Sequence, residues 1–376
     1  MRPLEIRKPD AIQDAALAAA LLPADGAIAG WTVLKELTKN LDTMDAASFR
    51  LLPMVYRNLC TAGLDEATLG PLKGIYRQQW YRNRLSLAAG LEALGILRGS
   101  GIEALALKGL GLIATAYPEP ALRPMHDVDI LVREGDFRQA ATALFGSGMR
   151  PLRGTEQDFY RRARVFHAMA VTGPREVEVD LHRFMLEECC RQGLDDEAWT
   201  RKRVGAVNGQ EVATLSAEDL IINTCVHGVR WDPVPAWRWV SDLVVTFRAA
   251  PKVDWDYLAR ASTERKVTVA LAAALAFAQR YEPGLAEGAN RLAAARASRL
   301  ERWDFRAQQA DPGAAHQVAR YVTRYARLSG GRTIPRRIED APTYLECMWE
   351  LDRPRRVPAE GVKRVAARLR RRASSK

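Results

Sequence analysis

Three prolines and two aspartates between residues 105 and 132 constrain this chain more than any other feature. The segment reads LALKGLGLIATAYPEPALRPMHDVDILV. An apolar run ends at Lys108-Gly109, and a short helical stretch follows. Pro118, Pro120 and Pro124 then stop any helix before the chain reaches Asp127. Gly109, Gly111 and Ala114 match the dinucleotide fingerprint G-x-G-x-x-A, with Asp127 or Asp129 roughly 20 residues on. A crossover between parallel strands needs about a dozen residues, which the prolines do not allow. The ribose-binding acid of that fingerprint also closes an apolar strand, whereas here Asp-Val-Asp precedes Ile-Leu-Val. The segment argues against a dinucleotide fold.

A metal-dependent phosphoryl or nucleotidyl transfer site fits better. Asp127 and Asp129 are two apart on a strand, so both carboxylates face one side while Val128, Ile130 and Val132 pack on the other. Carboxylates that close repel one another unless a cation lies between them, and Mg²⁺ leaves positions for water and phosphate oxygens. A third acid comes from REVEVDLHRF, where Glu176, Glu178, Asp180 and His182 are expected on one strand face. Pairing that strand beside Asp127 to Val132 brings Asp180 to the same metals. Three carboxylates on adjacent strands suit two ions, one activating an attacking hydroxyl and one neutralising a triphosphate and its pyrophosphate leaving group.

The residues around the acids supply phosphate contacts in this reading. Gly109 allows close backbone approach, the helix after it offers free N–H groups, Lys108 is a point charge and Arg123 a fork. His182 is a candidate to support the site or touch substrate. His227, Asp242, Trp237 and Trp239 read as structural. No H-x-x-x-H spacing supports zinc hydrolysis.

The flanks are helical in pattern. Residues 1–100 and 216–350 carry apolar positions at helical spacing, with Ser216 and Asp219 resembling a capping box. Residues 101–215 change to short β-type runs, and residues 351–376 form a basic tail. Strands are expected at Ile102–Leu107, Asp127–Val132, Val165–Thr172 and Glu176–His182. A helical stripe is expected at Val318, Tyr321, Val322 and Tyr325. The net charge of +11 belongs mainly to the tail, where ten Lys or Arg from Arg353 onward face Glu360 alone. Such a tail reads as a solvated end and carries no functional weight. Five cysteines, at 60, 189, 190, 225 and 347, lack metal-ligand spacing, and their odd number argues against a disulfide framework. Glu5, Asp10 and Asp14 spoil a signal-peptide reading, so a cytoplasmic protein is expected.

The run L-K-G, then Y-P, then L-R-P-M-x-D-V-D-I-L-V resembles the uncharacterised nucleotidyltransferase family of the DNA polymerase β-type superfamily. D-L-H at Asp180 to His182 resembles its third-acid segment. Leu215 to Phe247 resembles its helical segment, with a His followed by a Trp-rich helix. The resemblance covers roughly residues 101 to 247. It implies an α+β protein, a polymerase β-type mixed sheet flanked by N-terminal and C-terminal helical regions. It also implies two Mg²⁺ ions, with Mn²⁺ as a substitute, and transfer of a nucleoside monophosphate from an NTP to an acceptor hydroxyl. AMP from ATP is the expected donor chemistry. By position, Asp127 and Asp129 hold both metals and Asp180 completes the nucleophile-side one. Lys108-Gly109 stands where the wider superfamily commonly has Gly-Ser. The acceptor, whether small molecule, peptide, protein or RNA, is not implied. A non-catalytic nucleotide- or partner-binding module on the same fold, and a D-x-D glycosyltransferase, remain alternative readings.

Overall fold

Seven strands form one mixed sheet in the order β3-β4-β5-β2-β1-β7-β6. They are β1 (Ala104–Ala106), β2 (Asp127–Val132), β3 (Arg150–Pro151), β4 (Ala168–Thr172), β5 (Glu178–His182), β6 (Arg203–Val207) and β7 (Gln210–Thr214). The computed structural model describes residues 4–230, 232, 237–310, 314–349, 351, 356–357 and 360. Most of the basic tail, together with Trp231, Pro233 and Pro235, lies outside the described residues. Helices precede the sheet through Gly99 and follow it from Ala217, so the protein is α+β with helical flanks on both sides of the mixed sheet. No described helix is long and apolar enough to cross a membrane.

The sheet's connections exclude the dinucleotide reading directly. β1 and β2 are antiparallel, and the helix between them, Lys108–Thr115, has eight residues. The crossover lies elsewhere: β2 runs parallel to β5, with Phe137–Gly146 and the β3–β4 pair between them in sequence. In that helix Phe137, Ala140, Ala141 and Leu144 are buried, the apolar face expected from their spacing.

The alternation in β2 works as its sequence requires. Val128, Ile130 and Val132 are fully buried. Each such side chain stabilises the fold by roughly 1.5–3 kcal/mol relative to exposure. The long helix Gly70–Gly99 crosses this apolar face at Gly90. A Cβ there would stand 2.9 Å from both Val128 Cγ1 and Leu110 Cδ2, so only glycine permits so close a crossing.

Several local expectations need correction. The strand begins at Glu178, not Glu176, because Glu176 takes a left-handed φ of 55° and turns the chain. The strand expected from Val165 starts at Ala168, since the helix Glu156–Ala163 and a turn occupy the residues before it. The strand expected at Ile102–Leu107 is confined to Ala104–Ala106. The β6–β7 hairpin was not foreseen. The stripe at Val318 to Tyr325 does lie on a helix, Ala314–Leu328, but Val318 and Val322 are 50% and 62% exposed and do not pack inward. Ser216 caps its helix by accepting from the Asp219 amide at 3.1 Å, as its spacing suggests. All five cysteines are free.

Candidate metal and nucleotide site

Parallel pairing of β2 with β5 sets Asp129 directly opposite Asp180, and Asp127 opposite Glu178. Opposed residues share a face, so the two strands together raise a row of acids over the sheet. Donor atoms of Asp129, Asp180 and His182 all lie within 4.8 Å of one another. Asp127 sits on the same face one step nearer the strand's start, half-buried and outside that group of three.

The electrostatics divide the acids. Burial works to raise the pKa of Asp129, but Lys108 and His182 outweigh it and hold the carboxyl well below its usual range. The Lys108 Nζ lies 2.5 Å from Asp129 Oδ1, and His182 Nε2 lies 3.0 Å from the same oxygen. A carboxylate only accepts, so Nε2 carries the proton in this contact. Asp180 feels Lys108 only at a distance, and that charge is outweighed. Burial, and then the neighbouring Asp129, push the Asp180 carboxyl from 3.8 to about 7. The same causes, burial first and then Asp127, raise Glu178. Burial lowers His182 although Asp129 opposes the shift, so this imidazole is neutral near pH 7.

This donor set fits a divalent cation. Two facing carboxylates with a neutral imidazole beside them offer oxygen and nitrogen ligands, and at Asp180 burial and Asp129 outweigh the help that the Lys108 charge gives to ionisation.

Lys108 reaches Asp129 from a strained backbone. It begins its helix at φ 39°, a left-handed value that a non-glycine residue adopts only under constraint. Gly109, next to it, is required by packing. A Cβ there would meet Met125 Sδ at 2.3 Å and Arg123 Nη1 at 2.6 Å.

Arg123 is turned to Asp242. It is 3% exposed and donates from Nε and Nη2 to the two oxygens of Asp242, at 3.2 and 3.0 Å. Tyr117 donates its hydroxyl to the same carboxylate at 2.7 Å. The arginine fork foreseen for phosphate is therefore committed to a buried ion pair. That pair ties the loop before β2 to the helix Arg238–Ala249. Asn83 ties it to the long helix, donating to the carbonyls of Pro120 and Arg123 and accepting from the Met125 amide at 3.1 Å. The D-x-D strand is thus launched from a loop clamped on two sides.

Sequence reasoning missed Asn83, because a single Asn in a helix carries no pattern. It also missed His167, whose ring meets that of His182 edge-on at 5.2 Å. Beyond Lys108 lies His227, held well below its ordinary pKa chiefly by the Lys108 ammonium. His227 Nδ1 is 3.1 Å from Arg230 Nη1, and Arg230 pairs with Glu188 at 2.6 Å. Arg230, Glu187, Glu188 and Arg324 also line a cavity of about 470 Å³ among the C-terminal helices. Trp237 and Trp239 are buried and pack on Phe277, the structural role expected of them.

One solved structure that the chain resembles is a crystal structure of an antigenic nucleotidyltransferase-like protein from Paracoccidioides brasiliensis. It is 15% identical over 57% of this chain and 94% of that one, with a TM-score of 0.33. No curated protein matches the chain. The model of the family described as uncharacterised nucleotidyltransferase matches residues 44–282, well over half the sequence and spanning every strand of the sheet. The chain belongs to that uncharacterised nucleotidyltransferase family.

Proposed function

We propose that the protein transfers a nucleoside monophosphate, AMP from ATP in the first instance, to a hydroxyl of an acceptor. The observation that carries this reading is the Asp129–Asp180 register beside His182 and Lys108. Asp127, Asp129 and Asp180 would hold two Mg²⁺ ions, with Mn²⁺ able to replace them and His182 positioning Asp129. When bound, the ions supply charge neutralisation for the triphosphate and for the pyrophosphate that leaves.

The chain's own residues do the rest. Lys108 neutralises a phosphate oxygen next to Asp129, and the backbone at Gly109 borders the same place. The acceptor oxygen forms a bond to the α-phosphorus as the bond to the bridging oxygen breaks, releasing pyrophosphate. The acceptor's proton leaves to water as the new bond forms. Arg123, through Asp242, acts by fixing the loop that aims β2. The cavity bounded by Arg230 and Glu187 is roomy enough for a small acceptor or an acceptor side chain.

Thermal unfolding with each of the four NTPs, with and without Mg²⁺, tests the reading. Stabilisation by one NTP that requires Mg²⁺ and disappears in Asp127→Asn/Asp129→Asn is the expected result. A ligand at a hundred times its Kd should contribute about 2.7 kcal/mol. No shift with any NTP, alongside a shift with a sugar nucleotide, would replace the proposal with the glycosyltransferase reading. No shift with either would favour a non-catalytic module.

A further inference from the structure

Two helices of the C-terminal region are turned the wrong way for simple packing. In the helix Arg299–Gln309, Glu301, Asp304, Phe305 and Gln308 recur at the spacing of a core-facing stripe. These four residues line the cavity of about 470 Å³, whereas the apolar Leu300 and Trp303 stand 66% and 48% exposed. The helix Ala314–Leu328 repeats the inversion. Arg320, Thr323, Arg324 and Arg327 line the cavity, while Val318 and Val322 are exposed. A stripe of charge turned inward fills no apolar core, so it serves the cavity between the helices.

Most of the charge inside is already matched. Arg230 grips Glu188 from Nε and Nη2 at 2.6 and 2.7 Å, and Arg324 grips Glu187 from the same two nitrogens. Arg327 pairs with Asp304 through Oδ2. Arg320 donates to the carbonyls of Ala307 and Ala310 at 3.0 and 2.7 Å. Asp232 and Lys266, which also border the cavity, are exposed.

Two carboxylates one helical turn apart remain incomplete. Glu301 and Asp304 are each 6% exposed. Glu301 accepts from the Val269 amide at 2.8 Å through Oε1 and pairs with no cation among the described residues. The Oδ1 of Asp304 is buried with no hydrogen-bond partner. Burial raises the pKa of Glu301 against the opposing Val269 amide and Arg327. One guanidinium, that of Arg327, serves two buried acids, and the uncompensated charge costs free energy until a cation with N–H donors arrives. A metal ion is the poorer match, because no third ligating side chain joins these two among the described residues. The rest of the wall includes Val229, Val267, Val269 and Phe305, which suit hydrocarbon.

We infer that this cavity is a binding site for a small primary ammonium compound with an apolar body, its ammonium held by Glu301 and Asp304. Such a site is independent of whether the acids of β2 and β5 transfer a nucleotide.

Ligand-observed NMR titration of the full chain with phenethylammonium in Mg²⁺ at neutral pH tests the site, with phenethyl alcohol as the uncharged isostere. The wild type should bind the ammonium at least about tenfold more tightly than the alcohol. Glu301→Gln keeps the acceptor for the Val269 amide and strands no cation, so it should unfold at the wild-type temperature. It should weaken the ammonium about tenfold and leave the alcohol unchanged. Ala270→Phe, which fills the cavity from the helix Thr268–Ala278, should abolish binding of both. Glu287→Gln, at an exposed position, should change neither by more than about twofold. Equal affinity for the ammonium and the alcohol, or weakening in Asp180→Asn in place of Glu301→Gln, overturns the inference. So does ammonium binding that survives Ala270→Phe in a folded protein, or a wild type that binds neither compound.

Discussion

Replacing Asp180 with Asn should stabilise the metal-free protein, although it removes a carboxylate of the proposed metal site. The Asp180 carboxyl is raised from 3.8 to about 7, first by burial and then by Asp129. An acid whose folded pKa lies above its unfolded value holds a proton that the unfolded chain has released. Stability therefore falls as pH rises through the interval between the two values. At about 1.4 kcal/mol per pKa unit, the cost reaches about 4 kcal/mol at pH 8. At pH 5 it is between about 1 and 2 kcal/mol, because the folded carboxyl is still protonated. Asparagine has no charge to lose, so its advantage over aspartate should grow by about 2–3 kcal/mol between pH 5 and pH 8. Guanidinium unfolding of both proteins at the two pH values, in chelator, measures the difference. Added Mg²⁺ should shrink the variant's advantage, because only the wild type regains the full ligand set. An advantage that is absent, or smaller at pH 8 than at pH 5, would refute the reasoning about Asp180 and its environment.

Three further outcomes follow from other contacts. Arg123→Met leaves Asp242 buried with only Tyr117 and the more distant Arg238 beside it. It should lose about 3–5 kcal/mol by denaturant titration, and a loss below 1 would show that the pair does not anchor the loop. Lys108→Met removes the ammonium from Asp129 and should destabilise the metal-free protein at pH 8 by about 3 kcal/mol, with NTP affinity falling as well. Unchanged NTP affinity in calorimetry would remove Lys108 from the phosphate site. Gly90→Val drives a side chain into Val128 and Leu110 and should cost at least about 2 kcal/mol, readable as a lowered Tm, whereas Gly95→Ala on the same helix, where space is open, should not.

The acids were legible because their chemistry follows from local pattern. Alternation in DVDILV and EVDLH fixes which residues share a face, and a short loop full of prolines fixes how β2 begins. The partner strand of β2 was also accessible, since two acidic faces belong side by side only when a cation joins them. What lay between distant segments was not. Arg123 and Asp242 are 119 residues apart, and nothing in either neighbourhood marks them as a pair. Asn83 sits in a helix whose apolar spacing reports packing and says nothing of which loop it grips. The β6–β7 hairpin is different, because its signal was present. Asn208-Gly209 takes φ values of 51° and 77°, the two-residue turn that Asn-Gly favours. Its strands, RVGAV and QEVAT, bury only Val207, Val212 and Thr214 and lack the apolar run that marks β2. His182 appeared as one of several same-face residues, and only the folded register brought it to Asp129.

The central claim is that the facing acids of β2 and β5 hold divalent ions together with a nucleotide. Electron paramagnetic resonance of Mn²⁺ titrated into the protein, with and without a non-hydrolysable ATP analogue, measures it most directly. Two ions bound per chain in the presence of the analogue, and loss of both in Asp129→Asn, is the result this account predicts. Mn²⁺ binding that ignores the analogue and survives Asp129→Asn would contradict it.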